Sequence, residues 1–191
     1  MKMITRLAVL VLMLCYWQPT AHGCTSFPIH LGAVDSPHNR ILVEMIATII
    51  TERSGVVVGI SYFEGSPALY EAVDQKKVHL IIEDTTTALG LLHKSVAAEQ
   101  AKNLETAKSL YKQEKAMIWL EPFPALARQN AALAPVITSA VLTEFPALPR
   151  LLKKLAGTVT GDDFAKLLAA VDSGQKPRSV AKEYLAAKRL I

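Results

Sequence analysis

Ser-Pro occurs twice in the chain, at Ser36–Pro37 and Ser66–Pro67, each time shortly behind an apolar run and ahead of a helical pattern. A serine that caps a helix followed by a proline in the first turn is a strong start signal, because the hydroxyl takes an otherwise unpaired backbone N–H and proline has none to lose. The first such helix, "SPHNRILVEMIATIITERSG", carries an Ile41, Leu42, Met45, Ile49 stripe and stops at Gly55. The second begins "SPALYEAVDQKK". The flanking runs read as strands: Ile29–Val34, Val56–Phe63, Val78–Glu83 and, later, Ala116–Leu120. Strand and helix in alternation imply an α/β fold with a mostly parallel sheet, right-handed crossovers and helices on its faces.

From Thr87 to Lys115 the pattern is helical, with a break near Ser95. Residues 138–191 read as three or four short helices separated by Pro146, Gly157 and "SGQKPRS", one of them starting at Thr160 or Gly161 ahead of Asp162 and Asp163. No internal repeat is evident.

Ahead of these elements, Lys2 and Arg6 precede the apolar run "LAVLVLMLCYW". That run is too short to span a bilayer, which needs roughly 20 apolar residues, and it has the layout of a secretory signal. Cleavage after Gly23, with Ala21 two residues before it, makes residues 1–23 a signal peptide and 24–191 a single mature domain. Two fates stay open for the new N-terminus: simple secretion, or lipid attachment at Cys24. Cys15 leaves with the signal, so Cys24 has no intrachain partner for a disulfide. The expected location is periplasmic or otherwise extracytoplasmic, free or anchored through Cys24. The formal charge of +4 includes Lys2 and Arg6, and the remaining basic residues are scattered over helical faces, so nucleic acid is not an expected partner.

In open parallel sheets ligands bind beyond the C-terminal ends of the strands. Those ends are Asp35 and Ser36, Tyr62 to Ser66, and Glu83 to Thr87. Nothing there promises catalysis. His30, His38, His79 and His93 lack metal-ligand spacing, no serine elbow is present, and Glu83 and Asp84, as strand neighbours, point to opposite faces. An enzyme, a metal site and a cofactor are therefore not expected. "FEGSPAL" reads either as a simple strand–helix turn or as an anion seat at the start of the Ser66–Ala68 segment, and "EDTTTAL" either as helix capping or as a ligand contact. Tyr62, Phe63, Tyr70, Trp119 and Phe123 read either as core or as part of an aromatic cage for a quaternary ammonium.

"LGAVDSPHNRILVEMIA", "FEGSPALYEAVDQKKVHLIIEDTTT", "APVITSAVLTEFPALPRLLKKLAGTVTGDDFAKLLAAVD" and "PRSVAKEYLAAKRLI" together resemble the OpuAC-type substrate-binding proteins of glycine betaine, choline and osmoprotectant ABC transporters. The resemblance implies a periplasmic-binding-protein-like (type II) fold, normally two lobes, with the chain leaving lobe one and later returning to finish it. Here "IWLEPFP" resembles the exit and "APVITSAV" the re-entry, so a short bypass near 122–134 stands where the family has a second lobe. The resemblance further implies a small-molecule solute, above all a quaternary ammonium, an ABC permease as partner, and a dimer or separate second lobe to complete the site.

Residue by residue it points to Asp35, Ser36, Asn39, Tyr62, Gly65, Ser66, Glu83, Thr85 and Thr87 as ligand-binding. The family's Phe-Thr-Glu-Gln run is Ser36, Pro37, His38 and Asn39 here, and its Tyr-Pro-Glu-Tyr-Thr-Gly-Thr signature is Ile81 to Thr87, without either tyrosine. The competing reading is an exported interaction module that uses the former lobe interface to dock another protein. Exposed apolar side chains between Trp119 and Leu126 would be its mark.

Overall fold

The structure, a computed structural model, describes residues 28–128 and 130–191. The signal segment 1–23 and Cys24 lie outside the described residues.

Strand β1 (Ile29–Val34) runs into helix α1 (Pro37–Ser54), which returns the chain to β2 (Val58–Phe63), parallel to β1. Helix α2 (Ser66–Asp74) carries it to β3 (Leu80–Asp84) on the other side of β1, again parallel. The start of α1 follows from its sequence: Ser36 Oγ accepts the Asn39 N–H at 3.1 Å, and Gly55, at φ 73°, closes the helix by donating its N–H to the Thr51 carbonyl. The start of α2 is shifted by one residue from the Ser-Pro rule. Gly65 is its cap and Ser66 its first residue, with no side-chain capping bond.

Helices α3 (Thr85–Leu91) and α4 (Gln100–Leu110) follow, separated by an irregular stretch that contains Ser95. The end of α4 widens into a π turn at Tyr111–Lys115 and stops at Ala116, which is left-handed at φ 51°. Strand β4 (Met117–Trp119) leads to a hairpin, and strand β5 (Leu133–Thr138) then enters between β3 and β4, antiparallel to both. The sheet order is β2-β1-β3-β5-β4. The sequence offers no strand at 133–138, where "APVITSAV" resembles the family's re-entry and Pro135 stands inside the run. Proline is tolerated here because its carbonyl accepts the Leu120 N–H at 2.9 Å just past the last residue of β4, where the missing N–H interrupts the ladder least.

The chain ends in α5 (Ser139–Glu144), α6 (Leu148–Thr158), α7 (Gly161–Asp172) and α8 (Pro177–Ala187). Thr160 caps α7 by accepting the Asp163 N–H at 3.1 Å. No helix among the described residues is long and apolar enough to cross a membrane.

The sheet has a core on each face, and the period of two along each strand divides the residues between them. Leu80 and Ile82 of β3 join Ile137 of β5 and helix α1 on one side, while Ile81 joins Val136, Met117 and helix α2 on the other. Helix α1 is covered outside as well as inside, because α6, α7 and α8 pack over it. That is why Ile41, Leu42, Val43, Met45, Ile46, Ile49 and Ile50 are all buried instead of forming one stripe. Each fully buried aliphatic side chain of this kind contributes about 1.5–3 kcal/mol. On the opposite face α2 lies close against β1, and a Cβ on Gly32 would sit 2.7 Å from Leu69 Cδ1 and 2.8 Å from Val78 Cγ1.

Candidate functional site

The segment between β4 and β5 is a tight hairpin tied down at every turn. Phe123 N–H donates to the Leu133 carbonyl at 2.8 Å, Pro124–Leu126 form a 3₁₀ turn, and Arg128 and Ala131 exchange backbone bonds near the tip. Three side chains then fix its return arm. Thr85 Oγ1 accepts the Ala132 N–H at 3.0 Å, Gln100 Nε2 donates to the Ala131 carbonyl at 2.9 Å, and Asn103 Nδ2 donates to the Asn130 carbonyl at 3.0 Å. Trp119, Leu120, Phe123 and Leu126 are buried, so the large apolar side chains of this stretch close the core, and its only exposed apolar residues are the small Pro124, Ala125 and Ala127.

Between this hairpin and the C-terminal ends of β1 and β3 lies an open cleft of about 730 Å³. One wall is the first turn of α1, with Ser36, His38 and Asn39; a second is Asp84 and Thr86 at the start of α3; the hairpin supplies Leu126, Arg128, Asn130, Ala131 and Leu133, and Val96 lies at the rim. Local chemistry explains each position. Asp84 ends β3 and caps α3, its Oδ1 accepting the Thr86 and Thr87 N–H groups and its Oδ2 the Thr87 hydroxyl at 2.7 Å. Asn39 donates Nδ2–H to the Val34 carbonyl at 2.9 Å, tying α1 to the end of β1. His38 packs its ring on Phe164 of α7 at 4.5 Å between centroids. Burial, and secondly the Arg128 charge, hold the His38 pKa below the ordinary histidine value, so its ring is neutral at pH 7.

The sequence-derived candidates divide into three groups. Ser36 and Asn39 line the cleft. Asp35, Tyr62, Gly65 and Ser66 sit to one side, at the ends of β1 and β2. There Arg40 holds Asp35 through two bonds of 2.6 and 2.8 Å and covers the Tyr62 ring at 4.9 Å. The Arg40 hydrogen bond keeps the Asp35 carboxyl below the usual range, while burial, and after it the Glu44 charge, push the Tyr62 phenol up to about 12. Glu83, Thr85 and Thr87 are engaged within the protein: Thr85 by Ala132, Thr87 by Asp84, and Glu83 by the Asp84 N–H and the Tyr70 hydroxyl.

Glu83 belongs to a buried polar chain. Tyr70 donates to its Oε2 at 2.8 Å and is itself hydrogen-bonded to Tyr111, whose ring meets Trp119 edge-on at 5.4 Å. Burial dominates and raises the Glu83 pKa to about 7, against the lowering effect of its two hydrogen bonds. Tyr70, Tyr111, Trp119 and Phe123 are thus core, and among the described residues no Phe, Tyr or Trp lines the cleft.

Asp84 and Thr86 belong to the strand end Glu83 to Thr87 without being among the ligand-binding residues that the resemblance points to, and Arg128 and Asn130 are cleft residues that nothing in the sequence analysis singles out. For Arg128 a signal was available: from Pro122 to Thr143 it is the only charged residue. Among the described residues no group of three or more His, Cys, Asp or Glu could hold a metal.

The model of the substrate-binding domain of the ABC-type glycine betaine transport system matches the chain over residues 28–133 and 124–187, two segments that meet at the hairpin. No curated protein sequence matches the chain. Among solved structures, apo YehZ from Escherichia coli superposes with a TM-score of 0.77 at 14% identity, over 86% of this chain and 99% of its own. A glycine betaine/carnitine/choline ABC transporter structure gives 0.78 at 12% identity, over 87% and 99%. Lactococcal OpuAC, closed on glycine betaine, gives 0.51 at 9% identity, over 85% and 96%. At these identities the likeness is one of fold.

Proposed function

Because the chain belongs to the family of substrate-binding domains of ABC-type glycine betaine transport systems, we propose that its cleft captures a small polar osmolyte outside the cytoplasm and presents it to an ABC permease. The observation that carries this reading is the position of the cleft. It opens at the C-terminal ends of two parallel strands, β1 and β3, where α/β folds place their ligands, and polar side chains from three separate segments face it.

The receptor works with one lobe. The two-part family match, meeting over residues 124–133, supports reading the hairpin as a bypass of the second lobe, and the anchoring of its return arm by Thr85, Gln100 and Asn103 supports reading it as a finished wall. One lobe leaves the cleft open, so a second copy or a separate chain completes it when tight binding is needed. The alternative of a solute-free docking module is less well supported, since the large apolar side chains of the stretch, Trp119, Leu120, Phe123 and Leu126, are buried, and its only exposed apolar residues are the small Pro124 and Ala125.

The test is a thermal-shift screen of the purified chain against glycine betaine, choline, carnitine, proline betaine and small amino acids. A ligand at about 100 times its dissociation constant adds about 2.7 kcal/mol, which moves the midpoint by several degrees in a domain of this size. A selective shift is expected. A flat response from a folded sample would sink the receptor reading.

A further inference from the structure

A quaternary ammonium has no N–H to donate and is held by the faces of aromatic rings. Among the described residues the cleft has no Phe, Tyr or Trp in its walls, and its one imidazole, His38, packs at a tilt against Phe164. Of the cage candidates, Tyr70 and Trp119 both meet Tyr111 in the core, Tyr62 is covered by Arg40, and Phe123 is fully buried.

What the cleft offers instead is hydrogen-bonding capacity of both signs. Arg128 is exposed and forms no ion pair among the described residues, and its backbone is fixed by the paired bonds with Ala131, so its five N–H donors are available from a held position. Acceptors line the same cleft. Asn39 spends its Nδ2–H on Val34, leaving Oδ1 without a partner among the described residues, and the Thr86 hydroxyl is likewise unengaged. The Asp84 carboxylate uses three acceptor positions in capping, of the roughly four a carboxylate has.

We propose that the cleft selects a small zwitterion with an unmethylated ammonium, an amino acid and not a betaine: Arg128 pairs with its carboxylate, while Asn39, Thr86 and Asp84 accept from its N–H groups. This rests on the solute-receptor reading and names its ligand class. Each methyl added to the nitrogen removes a donor and leaves a polar acceptor facing carbon, which costs more than the contact returns when no ring is present. Arg128 comes from the hairpin, so the segment that replaces a lobe also supplies the charge that reads the ligand. The neutral state of His38 keeps Arg128 the single formal cation among the lining residues.

Isothermal titration of the purified chain with glycine, β-alanine, γ-aminobutyrate, glycine betaine and choline tests this, alongside Arg128→Gln and Arg128→Lys. One of the three unmethylated zwitterions is expected to bind about tenfold or more tightly than glycine betaine, with choline weakest. Arg128→Gln is expected to weaken that binding about tenfold or more, and Arg128→Lys to restore part of it, as a charge-assisted hydrogen bond implies. The exposed Arg128 has no packing role, so the variants are expected to keep the wild-type melting point. Tighter binding of glycine betaine or choline than of any unmethylated solute overturns the proposal but leaves the receptor reading standing. Unchanged binding by Arg128→Gln also overturns it. A chain that binds none of the five overturns it together with the receptor role for this class of solute.

Discussion

Thr85 holds Ala132 twice, its backbone N–H donating to the Ala132 carbonyl at 3.0 Å and its Oγ1 accepting the Ala132 N–H at 3.0 Å. Through this pair the start of α3 and the return arm of the hairpin form one surface, and the cleft has a fixed floor. The hydroxyl is fully buried, so no water can replace it.

Thr85→Val keeps the shape and removes the acceptor. The buried Ala132 N–H is then unsatisfied, and stability is expected to fall by about 1–3 kcal/mol. Urea denaturation reads the loss, and amide exchange should show faster opening of residues 130–133 than of β1.

Glu83 makes stability depend on pH. Its folded-state pKa, about 7, lies above the 4.5 of the free group, so its contribution is full below about pH 4.5 and is lost as pH rises toward 7, where the unfolded chain ionises more readily than the folded one. Glu83→Gln removes the charge while keeping an acceptor for the Asp84 N–H. It is expected to leave stability near pH 4 almost unchanged and to raise it near pH 8, by on the order of 3 kcal/mol. Equal effects of the substitution at both pH values in urea titrations would contradict the buried, proton-holding carboxyl.

Thr138 carries a buried hydroxyl oxygen with no hydrogen-bond partner among the described residues, at the end of β5. Thr138→Val exchanges it for a methyl group of the same shape, and a gain of about 1 kcal/mol is expected in thermal melts. A loss of stability would mean that the hydroxyl has a partner after all.

Gly32→Ala is expected to cost about 1–3 kcal/mol, because the new methyl meets Leu69 and Val78 inside 3 Å and α2 must lift from β1. Shortening the neighbour in the double variant with Leu69→Val should not recover the full loss, since Val78 stands equally close; a chemical-denaturation cycle on the pair measures this coupling.

Local signals were legible where they act over a few residues. The Ser36 cap, Pro37, the Gly55 stop and the Thr160 cap with its acidic first turn are all read from neighbours in sequence, and α1 and α7 begin where those signals lie. Strand β5 was not legible, because Leu133–Thr138 is a strand only by virtue of β3 and β4 on either side, and Pro135 argues locally against it. Of the two candidates that line the cleft, Ser36 came from the strand-end rule and Asn39 from the family resemblance, but Thr85 and Glu83 look like ligand groups until the hairpin and Tyr70 are placed beside them. Arg128 belongs to a segment whose contribution depends on where the hairpin folds back, which its own sequence does not state.

The two ends of the hairpin are themselves neighbours: Leu120 is one hydrogen bond from Pro135, and Phe123 one from Leu133. A segment whose entry and exit touch is a socket. Lengthening it leaves the register of β4 and β5 intact, and the closure cost grows only by about 0.6 kcal/mol for each doubling of length. A foreign domain spliced between Leu126 and Ala131 would hang from the sheet without disturbing it. The scaffold is therefore indifferent to what it carries there, which makes the gain or loss of whole modules at this point one of the mildest changes the fold can undergo.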